Sequence, residues 1–193
     1  RGRALSHGEV RALFEACAKD ASPAGARDAA LLAVLYGAGV RRSEAAALKL
    51  EDFNQESGAI VIHAGKGRKD RMVYATNGSR EALIAWLRVR GDVPGALFCP
   101  VNKGGRITIR PMTDQSIFYV LKKRGDEAGV TSFSPHDMRR TFISELLDAG
   151  ADISTVQQLA GHANVTTTQR YDRRGEATKR KAAELLHVPY ISR

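Results

Sequence analysis

Apolar residues recur at three- and four-residue spacing along most of this chain, which is the rhythm of amphipathic helices. Val10, Leu13, Phe14 and Cys17 follow Ser6-His7-Gly8-Glu9, whose serine and glutamate have capping-box spacing, and together they predict a helix over 7–19. Ser22, Pro23 and Gly25 read as the loop that ends it, and the Ala- and Leu-rich run over 27–36 as a buried helix closed by Gly37 and Gly39. A short helix follows Arg42, with Ser43 as N-cap and Leu48 and Leu50 toward the core. The clearest strand signal is the pair of runs at 59–62 and 72–74. The segment between them, Gly65-Lys66-Gly67-Arg68-Lys69-Asp70, makes the pair a β-hairpin with a basic tip. A helix over 79–90 carries Leu83, Ile84, Trp86 and Leu87 and stops at Gly91 and Pro94; residues 100–111 read as an exposed loop. Thr113 or Asp114 opens a helix to about 128, and Ser134-Pro135 opens another to Asp148, ended by Gly150. Helices follow over about 152–160 and 164–174, parted by Gly161, and a last one over 176–187 carries Ala182, Ala183, Leu185 and Leu186 on one side. The expected fold is mainly α with one small antiparallel β-sheet, an α+β arrangement in a single domain spanning 1–193, with 176–193 as a C-terminal helix and tail.

Composition narrows the function. Thirty Lys and Arg against 21 Asp and Glu give a net charge of +9, and the charge is clustered. Lys66, Arg68, Lys69 and Arg71 crowd one window, and Arg170, Arg173, Arg174, Lys179, Arg180 and Lys181 another, as expected of a surface that binds nucleic acid. The two cysteines, Cys17 and Cys99, lie too far apart for a CxxC site and suit a reducing compartment. None of the five histidines has metal-ligand spacing, so no metal is expected. Gly65-Lys66-Gly67 is no P-loop, because the glycine required five positions earlier is Ile60. No apolar run reaches the roughly 18–20 residues that span a bilayer, which predicts a cytosolic protein without a membrane partner.

His136 and Arg139 stand three apart on a predicted helix and share a face. Gly161-His162 sits at a helix break, and Tyr171 lies nine residues on. Upstream, Gly39-Val40-Arg41-Arg42-Ser43-Glu44 puts arginines at a helix N-terminus, where the amides already favour an anion. In this order and spacing the pieces resemble the catalytic domain of the tyrosine recombinases, or phage integrase family, over nearly the whole chain. The G-x-R-x-S-E arginine falls on Arg41, the hairpin lysine on Lys66, H-x-x-R on His136 and Arg139, the L-x-G-H histidine on His162 and the nucleophile on Tyr171. Ala160 departs from the leucine usual in the L-x-G-H segment, a matter of packing.

The resemblance implies that Tyr171 attacks a DNA phosphodiester, leaving a 3′-phosphotyrosyl link and a free 5′-hydroxyl, without ATP or any other cofactor. Arg41 and Arg139 would bridge the phosphate oxygens, since planar, permanent cations suit that task. His136 would be the base, Lys66 the acid on the leaving oxygen, His162 a donor to the phosphate, and Glu44 the support of Arg41. Two alternatives stay open: Arg42 could take the place of Arg41, and Lys66 could be a plain phosphate contact like Arg68 or Lys69. Arg42, Arg68, Lys69, Arg71, Arg170 and Arg173 form the expected DNA-contact set. The resemblance further implies double-stranded DNA as partner, a homo-tetramer on synapsed DNA and a monomer or weak oligomer without it, and an N-terminal core-binding domain absent from this chain. The tail at 176–193 would either pack on its own domain or exchange between protomers. Competing classes are a non-enzymatic helix-turn-helix module built on 152–173 and a type IB topoisomerase-like strand transferase.

Overall fold

A computed structural model describes residues 2–63, 70–185 and 189. Its elements run α1 (His7–Ala18), α2 (Pro23–Leu32), α3 (Arg42–Ala47), β1 (Ala59–Ile62), β2 (Arg71–Tyr74), α4 (Gly78–Arg90), α5 (Asp114–Glu127), α6 (Pro135–Asp148), α7 (Ile153–Ala160), α8 (Val165–Gln169) and α9 (Glu176–Glu184). The fold is therefore mainly helical with one two-stranded antiparallel sheet, in the register Ala59↔Tyr74 to Ile62↔Arg71.

Side-chain caps set most helix starts. Ser6 Oγ accepts from the Glu9 amide at 3.2 Å while the Glu9 carboxylate accepts from the Ser6 amide at 2.9 Å. Thr113 Oγ1 accepts from the Ser116 amide, and Asp137 accepts from the Ser134 amide ahead of Pro135.

Four predicted boundaries are corrected. Helix α2 begins at Pro23, inside the segment read as a loop: Ser22 Oγ caps Ala24 and proline fits the first turn. Gly25 is no helix breaker there, because a Cβ at that position would lie 2.0 Å from the Asp20 carbonyl oxygen, so glycine permits the tight α1–α2 corner. The stretch after Leu32 is a π-turn, Ala33–Gly37, closed by a bond from the Val40 amide to the Val34 carbonyl. Arg41, not Ser43, caps α3. Helix α8 ends at Gln169 rather than near 174, because Asp172 accepts from the amide and guanidinium of Arg174 and folds the chain into a local turn.

The main core gathers Leu13, Leu31, Leu35, Ile60, Leu83, Trp86, Ile117 and Leu121. Leu97, Phe98 and Cys99, in no regular element, are also fully buried, and the Leu97 carbonyl accepts the Trp86 indole N–H at 2.9 Å. A second cluster joins α6 to α7 through Phe142, Ile143, Leu147, Val156 and Ala160, with Tyr171 packed against it. The extended segment before α1 lies along α6, where the Arg3 amide donates to Asp137 and the Leu5 amide to Thr141 Oγ1, both at 2.8 Å. Glu176 and residues 178–184 of α9 are exposed, and Leu185 beyond it is 87% exposed. Lys66, Arg68, Lys69, Leu186 and most of the terminal tail lie outside the described residues.

Candidate active site

The π-turn and the left-handed Gly39 (φ +64°) deliver Arg41 to the head of α3. A Cβ on Gly39 would lie 2.3 Å from the Phe142 ring, so glycine is required both by conformation and by space. Glu44, one turn into α3, reaches back to accept from the Arg41 amide at 2.7 Å, which supplies the cap that Ser43 was expected to give. The Arg41 guanidinium donates to Glu44 Oε1 and to the Gly161 carbonyl, each at 2.7 Å.

Arg139, on α6, is 5% exposed and donates to the carbonyls of Gly39 and Ala160. Burial and the neighbouring Arg41 lower its pKa to about 10, which leaves it charged at neutral pH. Both guanidiniums are thus fixed on adjacent carbonyls at the end of α7, where Gly161 turns the chain with a left-handed φ of +60°. Arg71 closes the arrangement. Its two terminal nitrogens donate to the two Glu44 oxygens at 2.8 and 2.7 Å, and its Nε donates to the Leu159 carbonyl. Grouped by sequence with the basic hairpin tip, Arg71 is instead a half-hidden partner of Glu44, 16% exposed. Burial would raise the Glu44 pKa, but hydrogen bonds from Arg71 and the Arg41 amide outweigh it and bring it down to about 2.

His162 follows Gly161 directly, and its Nδ1 lies 2.9 Å from the buried Thr168 hydroxyl on α8. Burial, then the charges of Arg139 and Arg41, push its pKa down to about 4, so the imidazole is neutral at pH 7. The Tyr171 ring stacks on it, with centroids 6.2 Å apart and planes at 21°. His136, exposed on the first turn of α6, lines the same open groove as Arg41, Arg139, His162 and Tyr171. A neighbouring hollow, lined by Arg41, Glu44, His63, Arg71, Tyr74 and Asn164, continues it past α3 and β2.

Five of the six residues expected to carry chemistry therefore meet in one groove, and the sixth, Lys66, lies outside the described residues. Arg42 is placed differently from Arg41. It pairs with Asp114 through two bonds of 2.6 and 2.5 Å, and its guanidinium carbon lies 5.5 Å from the Phe118 ring centroid. Arg170 and Arg173 are exposed. Thr168, Asp114 and the pairing of Arg71 with Glu44 escaped sequence reasoning, for no local spacing singles them out.

The sequence pattern of the phage integrase family matches residues 3–177. The chain belongs to the phage integrase family. This integrase-family chain is 35% identical over 182 residues to tyrosine recombinase XerA of Thermococcus kodakarensis, covering 94% of this chain and 62% of that protein. It is 42% identical over 156 residues to tyrosine recombinase XerC of Myxococcus xanthus, covering 76% and 50%. It spans between about half and two thirds of the length of these curated relatives. Among solved structures, a XerA recombinase superposes with a TM-score of 0.76 at 30% identity, over 97% of this chain and 66% of that one. XerH bound to its difH substrate before cleavage gives 0.71 at 25% identity, over 94% and 53%. The catalytic domain of bacteriophage HP1 integrase has the same fold at 17% identity, TM-score 0.66, over 95% of each chain. Among the described residues of this phage integrase family member, no helix is long and apolar enough to cross a membrane.

Proposed function

We propose that this chain is the catalytic domain of a site-specific DNA recombinase that cleaves and rejoins strands through a 3′-phosphotyrosyl intermediate. One observation carries the reading: two anchored guanidiniums, a neutral imidazole and a tyrosine line a single groove that carries His136 at its edge. A helix-turn-helix module would leave that convergence without purpose.

In this reading Tyr171 Oη forms a bond to phosphorus as the bond to the 5′-oxygen breaks. His136, exposed at the groove, takes the phenolic proton, and Lys66 returns one to the leaving oxygen. Arg41 and Arg139 are held by carbonyls and Glu44 before substrate arrives, so they neutralise the charge of the pentacoordinate phosphate without reorganising. A preorganised donor of this kind contributes about 10²–10³ in rate. With Nδ1 accepting from Thr168, the His162 Nε2 carries the proton and donates to a non-bridging oxygen. Attack by a second strand's hydroxyl reverses the sequence, so bond energy is conserved and no cofactor is consumed.

The partner is double-stranded DNA, bound through phosphates by exposed arginines such as Arg170 and Arg173 and by the hairpin cations Arg68 and Lys69. The exposed residues 178–184 of α9, with the exposed Leu185, suit exchange between protomers of a tetramer on synapsed DNA. The reading includes a core-binding domain outside this chain, as the greater length of the relatives allows, and places the enzyme in the cytoplasm. The test is a panel of nicked duplexes whose cleavage releases a short strand and blocks religation. The reading expects an SDS-stable protein–DNA adduct with a free 5′-hydroxyl on the released strand. An adduct whose released end is a 5′-phosphate, or none from protein that binds the panel, would overturn it.

A further inference from the structure

Arg140 follows Arg139 on α6 but has a different neighbourhood. Its guanidinium carbon lies 5.3 Å from the centroid of the Tyr171 ring, and one terminal nitrogen donates to the Gly2 carbonyl. Its Nε is buried without a hydrogen-bond acceptor, one of two such side-chain atoms among the described residues. A buried N–H left unpaired is unfavourable, so hydrogen bonding alone does not explain why the side chain lies there. The attraction of a cation to an aromatic face does, and the Gly2 carbonyl holds the guanidinium in place.

The ring it meets also packs against the α6–α7 apolar cluster, a contact that is not directional. Tyr171 sits in the turn after α8, with its amide bonded to the Thr168 carbonyl and its ring stacked on His162. A nucleophile gains rate by being held within about 3–3.5 Å of its target in line with the leaving group, and a ring free to swing loses that gain.

We propose that Arg140 is a positioning residue for strand cleavage, holding the Tyr171 ring at the groove while itself anchored on the segment that precedes α1. This rests on Tyr171 being the nucleophile. Arg140 does not touch the phosphate in this scheme and acts through the tyrosine.

The experiment is single-turnover cleavage of a nicked suicide duplex at saturating protein, for the wild type, Arg140→Gln, Arg140→Lys and Tyr171→Phe, with DNA affinity measured by anisotropy at several salt concentrations. Arg140→Gln is expected to slow cleavage about tenfold while affinity and its salt dependence stay as in the wild type, and Arg140→Lys, which keeps a cation over the ring, to recover part of the rate. Cleavage by Arg140→Gln within twofold of wild type overturns the proposal, as does a lysine variant no faster than the glutamine one. So does a logarithmic salt slope that falls by about one, which would make Arg140 a phosphate contact. An adduct that survives Tyr171→Phe removes the nucleophile assignment, and the proposal falls with it. A folding-stability cycle of Arg140→Gln with Tyr171→Leu reads the contact apart from chemistry. Non-additivity of at least twofold in the folding constant is expected, and strict additivity overturns it.

Discussion

Glu44→Gln tests whether the site is preorganised by one carboxylate. In the wild type Oε1 accepts from the guanidiniums of Arg41 and Arg71, and Oε2 accepts from the Arg41 amide and from Arg71. Glutamine keeps the shape but removes the charge, and wherever its NH₂ is placed, two donors lose their acceptor. Hydrogen bonds from Arg71 and Arg41, working against burial, bring the Glu44 pKa from 4.5 to about 2. At ~1.4 kcal/mol per tenfold change in proton affinity, that fall corresponds to about 3 kcal/mol of stability at neutral pH. Removing one partner of a buried ion pair costs a similar ~3–5 kcal/mol. Trp86, the single tryptophan and fully buried, reports unfolding by fluorescence. With a slope of ~2 kcal/mol per molar urea, the midpoint should fall by about 1–2 M at pH 7. Because the folded pKa is depressed, the contribution is complete above pH 4.5 and is lost as pH falls toward 2, so the gap between wild type and variant should close over that window. A loss below about 0.5 kcal/mol at pH 7, or a gap that persists at pH 2, refutes the reasoning.

The two adjacent arginines should separate cleanly. Arg41→Ala is expected to lower adduct formation by about 10² or more, whereas Arg42→Ala, which loses a partly exposed pair with Asp114, should cost about 1 kcal/mol and keep cleavage within tenfold; the reverse order in a cleavage assay would reverse the assignment. His162, with its pKa at about 4, should contribute no acidic limb to the cleavage rate between pH 5 and 8. Its contribution to stability is complete above 6.5 and declines as pH falls toward 4; a limb near 6.5 that vanishes in His162→Gln would show the imidazole to be unperturbed. His63, whose ring bridges Asp70 and Asp52 at 2.9 and 2.8 Å, has its pKa raised by those two hydrogen bonds. The clamp at the hairpin base should therefore be complete below pH 6.5 and weaken as pH rises through the raised value; a difference in Tm between wild type and His63→Gln that grows from pH 5.5 to 8.5 contradicts it.

Local chemistry made much of the fold legible. The Ser6–Glu9 box, Thr113, Pro135 and Gly161 are signals that act within a few residues, and each marks an element where it stands. What escaped depends on contacts distant in sequence. Gly25 looks like a breaker until the Asp20 carbonyl is seen where its Cβ would be, and the run at 97–99 is too short to announce burial by periodicity. Arg124, Asp28 and Asp20 form a buried charge network between the α1–α2 corner and α5 that no spacing foretells. The same division runs through the site. Arg41, His136, Arg139, His162 and Tyr171 were readable as motifs, but Arg71 reads like any basic residue of a hairpin, and its bidentate contact with Glu44, 27 positions away in sequence, shows only in the folded chain.

The central claim is that Tyr171 forms the covalent bond to DNA. The most direct measurement is mass spectrometry of the SDS-stable adduct after digestion with trypsin and nuclease. Cleavage after Arg170 and Arg173 yields the short peptide Tyr171-Asp172-Arg173, which should carry a nucleotide remnant through a phosphodiester on the phenolic oxygen. A remnant on Tyr36, Tyr74, Tyr119, Tyr190 or a serine would contradict the account, and with it the role given to the groove.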